Sequence, residues 1–301
     1  MTPNRQQEIA VLRSVVYASL FDYPLTLEQL QQALIGVGAD QDSIARWWRT
    51  SELLQSTIES RDGLFFPAGR SDLIATRSRR EGVSRTLLER DQRILALISR
   101  MPFVRMVALS GSLAHLNAEG SADLDLFMIT APGRVWSVTL AVLVVSRVFG
   151  WRRHLCLNYV ISENTMKIVP EDLFTANQII HLRPTYGRDV FARFLDTNQF
   201  VRNVYPNFEL TNELKASRGQ GLKSTVEKLL SIGLAPLAER FARSFYGWHL
   251  RRKSASWQSR DEVRLEPECL KLHTSSHRIQ TLKKFDSAMH RALLEIKVLA
   301  S

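Results

Sequence analysis

Apolar positions along the first third of the chain recur at helical spacing, and along the middle third they gather into short runs. Ile9, Leu12, Val15, Val16 and Leu20 share one face of a helix predicted over residues 5–21. Pro24 biases Tyr23 away from the α region and ends that helix. Thr26, with Gln29 three positions on, forms a capping box opening a second helix to about Ile35. Gly36-Val37-Gly38 closes it, and a third helix from about Asp42 through Leu54 carries Trp47 and Trp48. Two β-type runs, 57–61 and 64–66, flank Asp62-Gly63, a hairpin signal. Residues 71–101 place Leu87, Leu88, Ile94, Leu95 and Ile98 on one helical face. The arginines on the other side, among them Arg77, Arg80 and Arg90, read as a solvated face in preference to an anion-binding one.

The middle of the chain carries the chemistry. An apolar strand over 103–109 breaks at Ser110-Gly111-Ser112, where small residues let backbone approach a ligand closely. A helix-like segment, 113–117, and the turn Glu119-Gly120-Ser121 lead to a second strand, Asp123-Leu124-Asp125-Leu126 and on through Ile129. Successive strand residues face opposite ways, so Asp123 and Asp125 emerge on one side while Leu124 and Leu126 point into the core. Two carboxylates held so close each make the other harder to ionise. A divalent cation relieves that repulsion, and Mg²⁺ (or Mn²⁺) with a phosphate-bearing substrate suits oxygen-only ligands. Backbone N–H groups and hydroxyls of Ser110, Gly111 and Ser112 suit phosphate oxygens. An Asp-x-Asp by itself is an ordinary solvated strand edge; the strand, the Gly-Ser turn and the spacer before it make the arrangement specific.

At these residues the chain resembles the nucleotidyltransferase superfamily that includes DNA polymerase β and the minimal nucleotidyltransferases. Leu109, Gly111-Ser112 and Asp123-Leu124-Asp125-Leu126 carry the likeness, over about residues 100–165, with Ala122 in place of a serine before the first Asp. The resemblance implies an α/β (α+β) fold with a mixed sheet flanked by helices. It also implies metal held by Asp123 and Asp125, nucleotide phosphates around Ser110, Gly111 and Ser112, and transfer of a nucleoside monophosphate from an NTP, ATP foremost, to an unidentified acceptor. It further implies a third carboxylate on a later strand, acting as general base. The strand predicted over 155–161 has Asn158 there, and an amide takes no proton at neutral pH. Glu163, Glu171 or Asp172 could replace it, the acceptor could already be anionic, or the domain could sense nucleotide without turning it over.

The three N-terminal helices and hairpin look like a winged helix-turn-helix domain over 1–70, a possible nucleic-acid or partner contact, with Trp47 and Trp48 read as packing. A connecting helix (71–101), a nucleotidyltransferase-like domain (102–214) and a helical C-terminal region (215–301) complete the division. In the last, 215–221 reads as a linker, helices are predicted at 222–232, 237–252 and 275–299, and the segment between them is polar. Cys269, His273 and His277 are too few for a zinc site.

Composition sharpens this only in part. At 301 residues and 45% hydrophobic the chain is long enough for two domains and a substantial core. A net charge of +10 favours an anionic partner (nucleotide, nucleic acid, anionic lipid or phosphorylated acceptor) without choosing among them. Two distant cysteines and a polar N-terminus fit a cytoplasmic protein. The apolar stretch 135–149 is too short, and broken by Arg147, to span a membrane; a helix packed on a sheet, capped by Gly150, accounts for it better.

Overall fold

The computed structural model describes residues 2–210, 220–231, 234–272 and 277–299. The chain begins with α1 (Arg5–Ser19), β1 (Leu25–Thr26), α2 (Leu27–Gln32), α3 (Gln41–Thr50), α4 (Glu52–Thr57), β2 (Ile58–Arg61) and β3 (Leu64–Pro67). Both bonds of the Thr26–Gln29 capping box form, and a second box, Asn4 with Gln7, opens α1. The helix expected over 42–54 is two helices. Ser51 is extended, with φ −101° and ψ 116°, and its side chain accepts from Leu54 N to cap the second. Asp62 and Gly63 both take positive φ, the mirror-image turn that matches strand twist. With β1 these strands form a three-stranded antiparallel sheet, ordered β1-β3-β2.

The long α5 (Asp72–Arg100) leads into β4 (Val104–Leu109), α6 (Gly111–Ala114), β5 (Leu124–Thr130), α7 (Val135–Val148) and β6 (Leu155–Ser162). Next come α8 (Leu173–Ile180), β7 (Arg183–Tyr186), α9 (Arg188–Thr197) and α10 (Phe200–Val204). The chain finishes with α11 (Gln220–Ser231), α12 (Leu234–Lys253), β8 (Val263–Glu266), β9 (Cys269–Leu272) and α13 (Arg278–Leu299). The main sheet is mixed and six-stranded, β7-β4-β5-β6-β9-β8, with β5 and β6 parallel and the other pairs antiparallel.

The helical C-terminal region expected over 215–301 is corrected in part, because β8 and β9 within it are strands of this sheet. Each is only four residues long, and Arg264 and Lys271 interrupt the apolar positions, so the period-2 signal sank into the polar run around it. The expected linker at 215–221 falls largely outside the described residues, as does His273. Cys269 is buried in β9 rather than on a helix. β7 contains Pro184, which confined it to a sheet edge and hid it from pattern reading.

Helices cover both faces of the sheet. Phe127, Ile129, Tyr159 and Ile161 pack toward α8, α9, α13 and the N-terminal helices in one continuous apolar cluster. Leu124, Leu126, Met128, Leu157 and Val160 pack toward α5, α7 and α12 in another. The first face places the site. A bulge in β6 pairs Leu126 with Leu157 but Phe127 with Tyr159, leaving Asn158 as the extra residue. Such a bulge re-aims a side chain, and here Asn158 and Tyr159 turn to the same face.

Among the described residues no helix is long and apolar enough to cross a membrane. The stretch that invited that reading is α7, packed on the sheet.

Candidate active site

The C-terminal end of β4 meets the N-terminal end of β5, and the site grows from that junction. Ser110 follows β4 and its N–H donates to the Asp125 carbonyl at 2.9 Å. Gly111 then turns with φ +64°, and a Cβ there would collide with the Asp125 carboxylate. Gly111 is therefore demanded twice, by its backbone conformation and by the carboxyl pressed against it. The Ser112 carbonyl accepts from Asn117 N at 2.8 Å, closing the turn.

The spacer between turn and carboxylates is held from outside. Asn117 Nδ2 donates to the Phe21 carbonyl at 2.8 Å, and Ala118 N donates to Ser84 Oγ at 2.9 Å. Arg80 donates to the Phe21 carbonyl, to Asn117 Oδ1 and, at 3.0 Å, to Glu119. Arg77 also reaches back, to the Pro24 carbonyl and to Gln29. Arg77 and Arg80, expected on a solvated face, thus fasten α5 to the N-terminal elements. Arg90 forks onto the buried Asp91, both bonds 2.7 Å. Those bonds hold its guanidinium pKa up, and the nearby Asp123 charge adds to the rise.

Asp123 is exposed just before β5; Asp125 is half-buried within it. Burial is the main force pushing the Asp125 carboxyl up to about 6; the bond from Asn158 opposes it and the Asp123 charge adds to it. Asn158 Nδ2 donates to Asp125 Oδ1 at 2.7 Å, and Cys156 Sγ donates to Asn158 Oδ1 at 2.9 Å. Burial pushes the Cys156 thiol up to about 12, so it stays a neutral thiol. Among the described residues neither Asp123 nor Asp125 forms an ion pair with a lysine or arginine, and no three-ligand His/Cys/Asp/Glu cluster occurs. Two oxygen donors outside any ion pair fit Mg²⁺ or Mn²⁺, which take oxygen ligands and complete their shells with substrate phosphates and water. A thiolate-seeking metal has no thiolate here.

None of the three candidate replacements for the third carboxylate stands free beside this pair. The Glu163 N–H bonds to the Thr130 carbonyl, five residues along β5 from Asp125, about 16 Å at strand rise. Its carboxylate is held by Arg193 at 2.8 Å and Arg105 at 3.5 Å. Glu171 pairs with Lys167 at 3.0 Å. Asp172 caps α8 through Thr175 N and binds Arg278 Nε at 2.7 Å.

A pocket of about 120 Å³ opens beside the junction. Ser110, Gly111 and Asn158 line one side, Phe127 and Phe194 form the floor, and Lys271 and Arg278 line another side together with Glu262. Lys271 bonds Glu262 at 2.5 Å, and Arg278 links Glu262 to Asp172. Sequence reading missed Glu262, Lys271 and Arg278. No local motif marks them, since only the pairing of β9 with β6, Lys271 opposite Tyr159, brings them here.

No protein-family model, curated protein or solved structure matches this chain.

Proposed function

We propose that the protein is a metal-dependent nucleotidyltransferase that moves a nucleoside monophosphate from an NTP to an acceptor hydroxyl. The observation that carries this reading is the Asp123–Asp125 pair, outside any ion pair among the described residues, with Asp125 set against the glycine of a Ser-Gly-Ser turn at the lip of a pocket. Asp123 and Asp125 would hold the divalent cation, which would supply charge neutralisation to the phosphates. The Ser110-Gly111-Ser112 turn would offer its remaining N–H groups and its hydroxyls to the phosphate oxygens. In the reaction the acceptor oxygen bonds the α-phosphorus, the bond from that phosphorus to the β-bridging oxygen breaks, and pyrophosphate leaves with the electron pair. Asn158 has no basic atom, so it orients Asp125 and the hydroxyl proton passes to water. Residues 1–70 we read as a winged helix, from the order helix, strand, helix, helices, hairpin. Trp47 is buried and Trp48 donates to the Ile58 carbonyl, so a nucleic-acid contact would fall to Arg46 and Arg49.

Incubation with each NTP, Mg²⁺ and candidate acceptors tests the reading by pyrophosphate release and by intact mass. Product formation lost in Asp123→Ala and Asp125→Ala supports it; turnover unchanged in both rules the site out. Asn158 in place of a carboxylate favours one second reading, a nucleotide sensor. That version predicts Mg²⁺-dependent thermal stabilisation by nucleotide with no product from any acceptor.

A further inference from the structure

Helix α12 leaves four of its large apolar residues on its outer side. Ala235, Ala242 and Leu250 are buried, at 6%, 1% and 7% exposure. On the same side the Glu239 carboxylate accepts from the first N–H groups of α7, Trp136 N at 2.9 Å and Ser137 N at 2.7 Å. On the opposite side Leu237, Phe241, Phe245 and Trp248 are 63%, 64%, 52% and 52% exposed. At 3.6 residues per turn these four fall within about 80° of arc. A helix that met only water on that side would sort its residues the other way. The neighbouring α7 adds Val148, 75% exposed, with Phe149, 58% exposed, just past its end.

The stripe has a cationic border. Arg240 and Arg251 flank it on one side and Arg252 continues the stripe itself one turn past Trp248, all exposed and, among the described residues, outside any ion pair. Arg252 lies over the Trp248 ring at 4.7 Å, and Phe241 and Phe245 stack on one another, centroids 5.8 Å apart. Large apolar side chains bordered by arginines match a bilayer surface, acyl boundary below and headgroup phosphates beside. Single-stranded nucleic acid fits less well, because base stacking needs open ring faces and three of these rings already use theirs. A second copy of the chain would set arginine border against arginine border across a two-fold axis, in a protein of net charge +10.

We propose that this face docks the protein on an anionic lipid surface, with α12 lying in the interface plane. The test is sedimentation of the full chain with phosphatidylcholine vesicles, with and without phosphatidylglycerol. Binding is expected to rise with phosphatidylglycerol content and fall with salt. Phe241→Ser combined with Phe245→Ser should weaken it at least about tenfold. Arg240→Gln and Arg252→Gln should cost about fivefold each. All four positions are exposed, so the melting temperature should stay put. Brominated acyl chains should quench the wild type more than Trp248→Phe, an independent reading of the same contact. Absence of wild-type binding to the mixed vesicles overturns the proposal, as does undiminished binding by the double phenylalanine variant. Dimerisation or oligonucleotide binding lost in that variant, without vesicle binding, hands the face to another occupant and equally overturns it.

Discussion

Two pairs of titratable side chains lie at either end of the short helix α6, and the fold treats them in opposite ways. At its start stand Asp123 and Asp125, beside an open pocket. At its end His115 meets His181, their rings edge to face with centroids 4.8 Å apart. Burial drives members of both pairs toward neutrality, Asp125 up to about 6 and His115 down to about 3, with His181 also lowered. On the proposed reading a divalent cation with phosphate would relieve the carboxylates. The imidazoles face Tyr17, Tyr23 and Tyr205 around a cavity of about 40 Å³, and burial raises all three phenols, so no anion waits there. His181 Nδ1 donates to the Asn177 carbonyl at 2.8 Å. His115 Nδ1 and Tyr17 Oη lack partners among the described residues, which is the pattern that ordered water satisfies. Perturbed pKa values alone therefore do not mark a functional site. Carboxylates outside any ion pair, beside a glycine that both its backbone and a close approach require, are the better marker.

Gly111→Ala should break the comparison most forcefully. The new Cβ meets the Asp125 carboxyl, with Cγ only 3.2 Å away, in a backbone region that side chains rarely adopt. We expect pyrophosphate release to fall about a thousandfold, together with about 1–3 kcal/mol of stability. His115→Phe, at the other end of the same helix, should leave turnover near wild type. Equal losses in the two would mean that the whole segment, rather than the carboxylate end, serves the reaction.

Acid should separate the pairs next. The His115 pKa lies below its unfolded value near 6.5, so its contribution is complete above pH 6.5 and is lost as the pH falls toward 3. The slope is about 1.4 kcal/mol per pH unit, or about 2 kcal/mol by pH 5, and His181 acts with the same sign. Asp125 acts with the opposite sign from pH 6 down to 3.8, so urea midpoints at pH 7 and 5 are best compared in Asp125→Asn. Midpoints there that do not change with pH would contradict a neutral, buried imidazole pair.

How much of this could be read from the sequence follows the range of each interaction. The turn, the strand that follows it and the two carboxylates sit within twenty-one residues, so local periodicity located them, as it did the Thr26–Gln29 box and the Asp62-Gly63 hairpin. The re-aiming of Asn158 needed the register of β5 against β6, because the bulge shows only as Asn158 and Tyr159 facing one way. Lys271 and Arg278 lie more than a hundred residues from the turn they face, the first on a hairpin too short to announce itself and the second at the start of α13. Arg77 and Arg80 were misjudged for a related reason, while Arg79, Arg85, Arg93 and Arg100 are exposed as expected. Arg80 looks solvated on its own helix, and only the folded chain brings Phe21, Asn117 and Glu119 around it.

Asp125→Asn gives the smallest effect and the most diagnostic one. The folded-state pKa near 6 lies above the unfolded 3.8, so the cation-free protein is most stable, as far as this group goes, below pH 3.8. It loses that contribution as the pH rises through 6. The full difference is about 3 kcal/mol at neutral pH, and with the side chain half-buried we expect about 1–2 kcal/mol in practice. Asparagine removes the penalty and still offers an oxygen to Asn158 Nδ2, so the variant should melt higher than wild type at pH 7 without divalent cation. The gap should narrow toward pH 4, and Mg²⁺ with nucleotide should stabilise the wild type only. Activity would be lost while stability is gained, the trade expected where a strained charge is kept for chemistry. A variant that melts lower at pH 7 would instead make Asp125 a satisfied structural carboxylate, and the two ends of α6 would no longer differ in kind.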